Sequence, residues 1–130
     1  MTTHAQGKFD VTLAPLAIAD PAAAPTLGRM SIAKRFHGDL EATSTGEMLT
    51  AGTAVKDSAA YVAIERVTGT LHGRRGTFVL QHAGIMTRGA GQLTITVVPD
   101  SGTDELAGLV GAMSITIVGR EHSYDFEYGL

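Results

Sequence analysis

A carboxylate and an imidazole on adjacent strands can act together as a proton-transfer pair. In this sequence Glu65 and His82 have the types and the spacing for it. Both lie in the stretch Ala59 to Met86, two β-patterned runs flanking Gly73-Arg74-Arg75-Gly76. Side chains alternate across a strand, so Tyr61, Ala63, Glu65, Val67, Gly69 and Leu71 share one face. A turn closed by Gly73 and Gly76 sets Leu71 opposite Phe78, Val67 opposite His82 and Glu65 opposite Gly84. Glu65 and His82 are then diagonal neighbours among Tyr61, Val67, Leu71, Phe78, Leu80 and Met86. As an acid–base pair, the carboxylate orients the imidazole and burial moves both pKa values toward working pH. The alternatives are a structural buried pair, or polar residues that point outward into a subunit contact.

Three further residues are candidates for ligand contact. Glu47 either points inward beside Met30 and Leu49 or sits on a solvated face. Tyr61 and Tyr124 fall on expected inner faces, where each hydroxyl either meets a ligand carbonyl or is satisfied within the packing. His37, Asp39 and Glu41 alternate in a way that suits a metal, but the turn at Gly38 spoils the geometry, and no metal is expected. Ser44, Ser58 and Ser123 lack a G-x-S-x-G elbow, and Gly108 and Gly111 do not follow the strand–glycine–helix order of a phosphate loop.

The elements that position these residues are strands. Lys8 to Leu16 alternates around Phe9, Val11 and Leu13, after a loose lead-in from Met1 to Gly7. Arg29 to Phe36 follows a proline-containing connection, and His37-Gly38-Asp39 turns the chain into Leu40 to Thr50. A two-residue turn there brings Glu41, Thr43, Thr45, Glu47 and Leu49 onto the face of Met30, Ile32, Lys34 and Phe36, with Lys34 near Glu41. Gln92 to Val98 alternates again. Thr103 to Val110 reads as one or two helical turns, with Thr103 capping and Asp104 and Glu105 in the first turn. Met113 to Val118 and Glu121 to Tyr128 form a last hairpin around Gly119-Arg120, pairing Ile117 with His122, Ile115 with Tyr124 and Met113 with Phe126.

About eight strands, short turns and no long helix predict an all-β, eight-stranded antiparallel barrel with one short helix; a two-sheet sandwich is the alternative. Closure around eight strands leaves room for side chains or one small ligand. The 130 residues make one domain, residues 1–130. Sixteen glycines and a formal charge of −3 suit tight turns and argue against a nucleic-acid binder. The absence of cysteine rules out disulfides and a thiolate nucleophile and fits the cytoplasm. No apolar run approaches the roughly eighteen residues of a membrane span, and the N-terminus lacks the pattern of a signal peptide.

Four stretches, Gly28 to Leu49, Tyr61 to His82, Leu93 to Leu109 and His122 to Leu130, resemble an uncharacterised bacterial family, domain of unknown function 3224. The resemblance implies an allene oxide cyclase-like barrel of the calycin type. Allene oxide cyclases rearrange an unstable fatty-acid epoxide in the barrel cavity without a cofactor, but none of their catalytic residues aligns by motif with this chain, and fold alone does not carry chemistry. The function expected here is the binding of a small, mainly apolar molecule, with cofactor-free cyclase- or isomerase-like chemistry centred on Glu65 and His82. The competing expectation is a non-catalytic module that forms a homo-oligomer or binds another protein.

Overall fold

A computed structural model describes residues 2–130. The chain runs β1 (Thr3–Leu16), β2 (Leu27–Gly38), β3 (Leu40–Gly52), β4 (Ala59–Leu71), β5 (Arg74–Thr87), β6 (Ala90–Val97), β7 (Val110–Val118) and β8 (Glu121–Gly129). Each strand pairs antiparallel with its sequence neighbours, and β1 pairs with β8 to close the barrel. The expected all-β, eight-stranded antiparallel barrel is therefore what forms. Among the described residues helix is limited to two short 3-10 turns, Pro21–Ala23 and Asp104–Leu106. The second replaces the one or two helical turns expected from Thr103. Thr103 does sit at the cap position, but its hydroxyl accepts the Thr77 backbone N–H instead of capping the turn. No helix among the described residues is long and apolar enough to cross a membrane.

The lead-in expected before Gly7 is in fact strand. Thr3 pairs with Tyr128 and Phe9 with His122, so these residues supply the seam that closure requires. Alternation gives each strand one buried face. Phe9, Phe36, Phe78, Phe126, Leu40, Leu71 and Leu80 fill the half of the bore nearest the β2–β3 and β4–β5 turns. Leu106 and Leu109, both buried, plug that end, and Leu106 lies against the bare backbone of Gly76. The Tyr124 hydroxyl sits there too, donating to the His37 carbonyl at 2.7 Å and accepting the Leu40 N–H at 3.0 Å. Tyr124→Phe orphans the buried Leu40 N–H and should cost about 1–3 kcal/mol in urea denaturation; a loss below a few tenths would show that the end is held by packing alone.

The last hairpin has the expected register, Ile117 with His122, Ile115 with Tyr124 and Met113 with Phe126. Two others differ. The β4–β5 turn is His72-Gly73, both in the left-handed region, so Glu65 pairs with Leu80 and Ala63 with His82. That is an even displacement from the expected register, and the same residues still face inward. At the β2–β3 turn the expectation fails by an odd step: Phe36 pairs with Ala42 and Lys34 with Ser44. One residue in a turn exchanges the two faces of the strand that follows. Leu40, Ala42 and Ser44 therefore point into the barrel, while Glu41, Thr43, Thr45, Glu47 and Leu49 point out.

Candidate functional site: a buried polar layer beneath an apolar mouth

Midway along the bore the apolar packing gives way to polar side chains from three neighbouring strands and β5. Glu65 is 0% exposed and His82 3%. Glu65 accepts three hydrogen bonds. Lys34 Nζ reaches Oε1 at 2.9 Å, His82 Nε2 reaches the same oxygen at 2.7 Å, and Ser44 Oγ reaches Oε2 at 2.6 Å. Lys34 crosses the bore from β2 to do so, with its ammonium 5.2 Å from the Phe9 ring centre and 5.7 Å from that of Phe36. The expected partnership of Lys34 with Glu41 does not form, because Glu41 has turned outward.

Room for this layer comes from a glycine. Gly46 lies directly opposite Glu65, and a Cβ there would meet the Ile64 carbonyl oxygen at 2.1 Å and Glu65 Cα at 2.7 Å. The strand pairing of β3 and β4 thus stays close where the glutamate stem turns inward.

Burial pushes the Glu65 carboxyl up, but the His82, Lys34 and Ser44 contacts outweigh it and bring its pKa down to about 2. This reverses one expectation: Glu65 does not move toward neutrality but stays an anion. As an anion it can only accept, so His82 Nε2 carries a hydrogen. The other ring nitrogen, Nδ1, lies 3.2 Å from the Tyr61 hydroxyl. One carboxylate already balances one ammonium, so a neutral imidazole leaves the layer without net charge. Nδ1 is then an acceptor and the Tyr61 hydroxyl its donor. Burial and the neighbouring Glu65 charge both raise the Tyr61 pKa, which keeps the phenol protonated.

Tyr61 forms the boundary between this layer and the open end. A cavity of about 600 Å³ lies there, with Met48, Thr50, Tyr61, Gly84, Met86 and Leu93 in its wall. Gly84 pairs directly with Tyr61, and a Cβ on it would stand 2.8 Å from the ring, so the glycine lets the ring lie flat over β5. Leu13 and Ile117, inward by alternation, are exposed at the same rim. The β6–β7 seam widens this end, since only Thr96 and Ala112 pair across it.

Of the expected site residues, the structure brings Glu65, His82 and Tyr61 into one hydrogen-bonded chain. It separates the other two. Glu47 is a correction: it lies on the outer wall, where Arg29 Nη2 pairs with it at 2.6 Å. Tyr124 is inward, as expected, but its hydroxyl is committed to backbone at the plugged end. Lys34 and Ser44 belong to the layer, whereas the sequence reading pairs Lys34 with Glu41 and sets Ser44 aside for want of a G-x-S-x-G elbow. The signal for them was the interruption of an apolar stripe by Lys34, which only the right β2–β3 register turns into a contact with Glu65.

A second tyrosine–histidine–carboxylate chain, Tyr128–His72–Asp39, lies at the plugged end. Its His72 and Asp39 are open to solvent, and Asp39 also accepts the Gln6 N–H, so it ties a turn to the strand ends. No group of three or more His, Asp or Glu side chains among the described residues is placed to hold a metal.

A search of curated proteins finds no match. Among solved structures, a protein of unknown function from the DUF3224 family of Shewanella oneidensis MR-1 is 51% identical and superposes with a TM-score of 0.94, covering 100% of this chain and 98% of that one. The sequence model described as "Protein of unknown function (DUF3224)" matches residues 5–128. The chain therefore belongs to the DUF3224 family.

Proposed function

We propose that this barrel binds a small, mainly apolar molecule in its open mouth and that Tyr61 is the polar group the molecule meets. The observation that carries the reading is the hydrogen-bond chain from the cavity wall inward, Tyr61 to His82 to Glu65. Apolar walls with a few converging polar groups are the usual make-up of a ligand site. The chain also has the logic of a general-base relay. A proton leaving the ligand goes to the Tyr61 oxygen as the phenol proton passes to His82 Nδ1, and the resulting imidazolium faces the Glu65 carboxylate. Return of the proton at another position completes an isomerisation or cyclisation with no cofactor consumed. This is the cyclase- or isomerase-like chemistry that an allene oxide cyclase-like barrel suggests, supported here by residues of this chain alone.

The test is titration with N-phenyl-1-naphthylamine, whose fluorescence rises in an apolar site. Saturable enhancement is expected for the native chain and should be lost in Met48→Trp, which fills the mouth. Absence of enhancement, or equal enhancement in the filled variant, would sink the reading.

A second reading rests on a separate observation. Elsewhere the outward faces of the strands are largely polar, but Leu49, Val62, Ile64 and Ile85 are all exposed on the outer wall of β3, β4 and β5. Contiguous apolar surface of this kind suits a contact between subunits or with another protein. Light scattering on the eluted protein gives its mass; a monomer at high concentration would count against a homo-oligomer.

A further inference from the structure

We infer that the mouth selects ligands that bring a hydrogen-bond donor, a hydroxyl or N–H, over ligands of the same shape that bring only an acceptor such as a ketone. This rests on the binding reading above and specifies the ligand class it takes. Both Glu65 oxygens are occupied, Oε1 by Lys34 and His82 and Oε2 by Ser44. The carboxylate has no hydrogen to give, so the Nε2–H of His82 is fixed in place, and the lone pair of a neutral ring is at Nδ1. The Tyr61 hydroxyl hydrogen satisfies that lone pair across 3.2 Å. What Tyr61 then offers to the cavity is oxygen lone pairs, an acceptor.

A ketone can gain a hydrogen bond from Tyr61 only by drawing the hydrogen away from His82. His82 is 3% exposed, and its remaining neighbours in the layer do not face Nδ1 with a donor: Lys34 and Ser44 are both directed at Glu65. The ketone therefore leaves a buried nitrogen unpaired, the costly outcome for a polar group out of reach of water. An alcohol donates to the Tyr61 oxygen with the inner chain undisturbed, and each hydroxyl in the line polarises the next. Sites built around a fixed partner reject the mismatched analogue in this way. The selectivity is thus set by a residue that does not touch the ligand: Glu65 acts through His82 on the direction in which Tyr61 points its hydrogen, and is a positioning residue.

2-Adamantanol and 2-adamantanone share a rigid shape and differ at one oxygen. NMR-detected titration of the native chain with each is expected to show the alcohol binding about tenfold more tightly. In Tyr61→Phe the two should bind equally, because His82 Nδ1 then lies a further 3.2 Å behind the lost oxygen. Equal or tighter binding of the ketone to the native chain overturns the inference and leaves the binding reading standing. So does an alcohol preference that survives in Tyr61→Phe. If neither compound binds, the binding reading falls and takes the inference with it. The native-chain comparison stands whether or not the variant folds.

Discussion

Glu65→Leu should destabilise the barrel by about 3–5 kcal/mol, the cost of leaving a buried charge without its partner. The charge left behind is the Lys34 ammonium, whose side chain is only 7% exposed and whose sole carboxylate contact among the described residues is Glu65. Leucine fills much of the volume, so the loss is electrostatic rather than a cavity. The double variant Lys34→Met with Glu65→Leu separates the terms. It removes the stranded ammonium and should recover part of the loss, because apolar residues often replace a buried ion pair at little cost. What stays is the cost of the two donors that have lost Glu65, His82 Nε2–H and the Ser44 hydroxyl, about 1–3 kcal/mol each where no new acceptor is found. Urea denaturation of the three proteins measures this directly. A single variant that loses less than about 1 kcal/mol would mean that the layer does not depend on the carboxylate.

Acid should unfold this protein through the same residue. The Glu65 pKa is about 2 in the fold, against 4.5 for the free side chain. A depressed carboxyl pKa contributes stability that is fully present above the unfolded value and disappears as pH falls through the folded one. The window therefore runs from about pH 4.5 down to about pH 2. At roughly 1.4 kcal/mol for each pH unit, about 3 kcal/mol is lost across it. Glu65→Gln has no titrating group there, so its stability should fall much less steeply over the same range. Asp125 is also depressed, by its bond to His4 and by Gln6, but it lies at the surface and gives only a screened background common to both proteins. Parallel curves for native chain and variant would overturn the assignment.

How much of this was legible in the sequence depends on parity. Alternation identified the inner face of β4 and β5, and any even error in the turn leaves that face intact. Glu65 and His82 were therefore diagonal neighbours in the expected register, through Gly84 and Val67, and are diagonal again in the observed one, through Leu80 and Ala63. Tyr61 came with them. The β7–β8 hairpin was readable residue by residue because Gly119-Arg120 is a compact turn and both arms carry apolar stripes that fit in only one register. β3 carried a guide as well, Leu40, Ala42 and Met48 alternating with Glu41, Thr43, Thr45 and Glu47, but a two-residue turn at Gly38 set the register against it. There Gly38 takes a positive φ and its N–H is bonded by the Glu41 side chain, a local arrangement with no plain signature in composition. The error sent Glu47 inward and hid Ser44. The start of β1 was missed for a different reason: its pairing partner is β8, at the far end of the chain, and local pattern says nothing of that.

The plug of Leu106 and Leu109 has a consequence for traffic. The bore is a blind vessel, stoppered at one end and open at the other, and its floor is the polar layer. If the mouth takes a ligand as proposed, that ligand leaves by the route it entered, and a second cannot follow until the first has gone. Such a vessel would suit the rearrangement of a single molecule and not the joining of two.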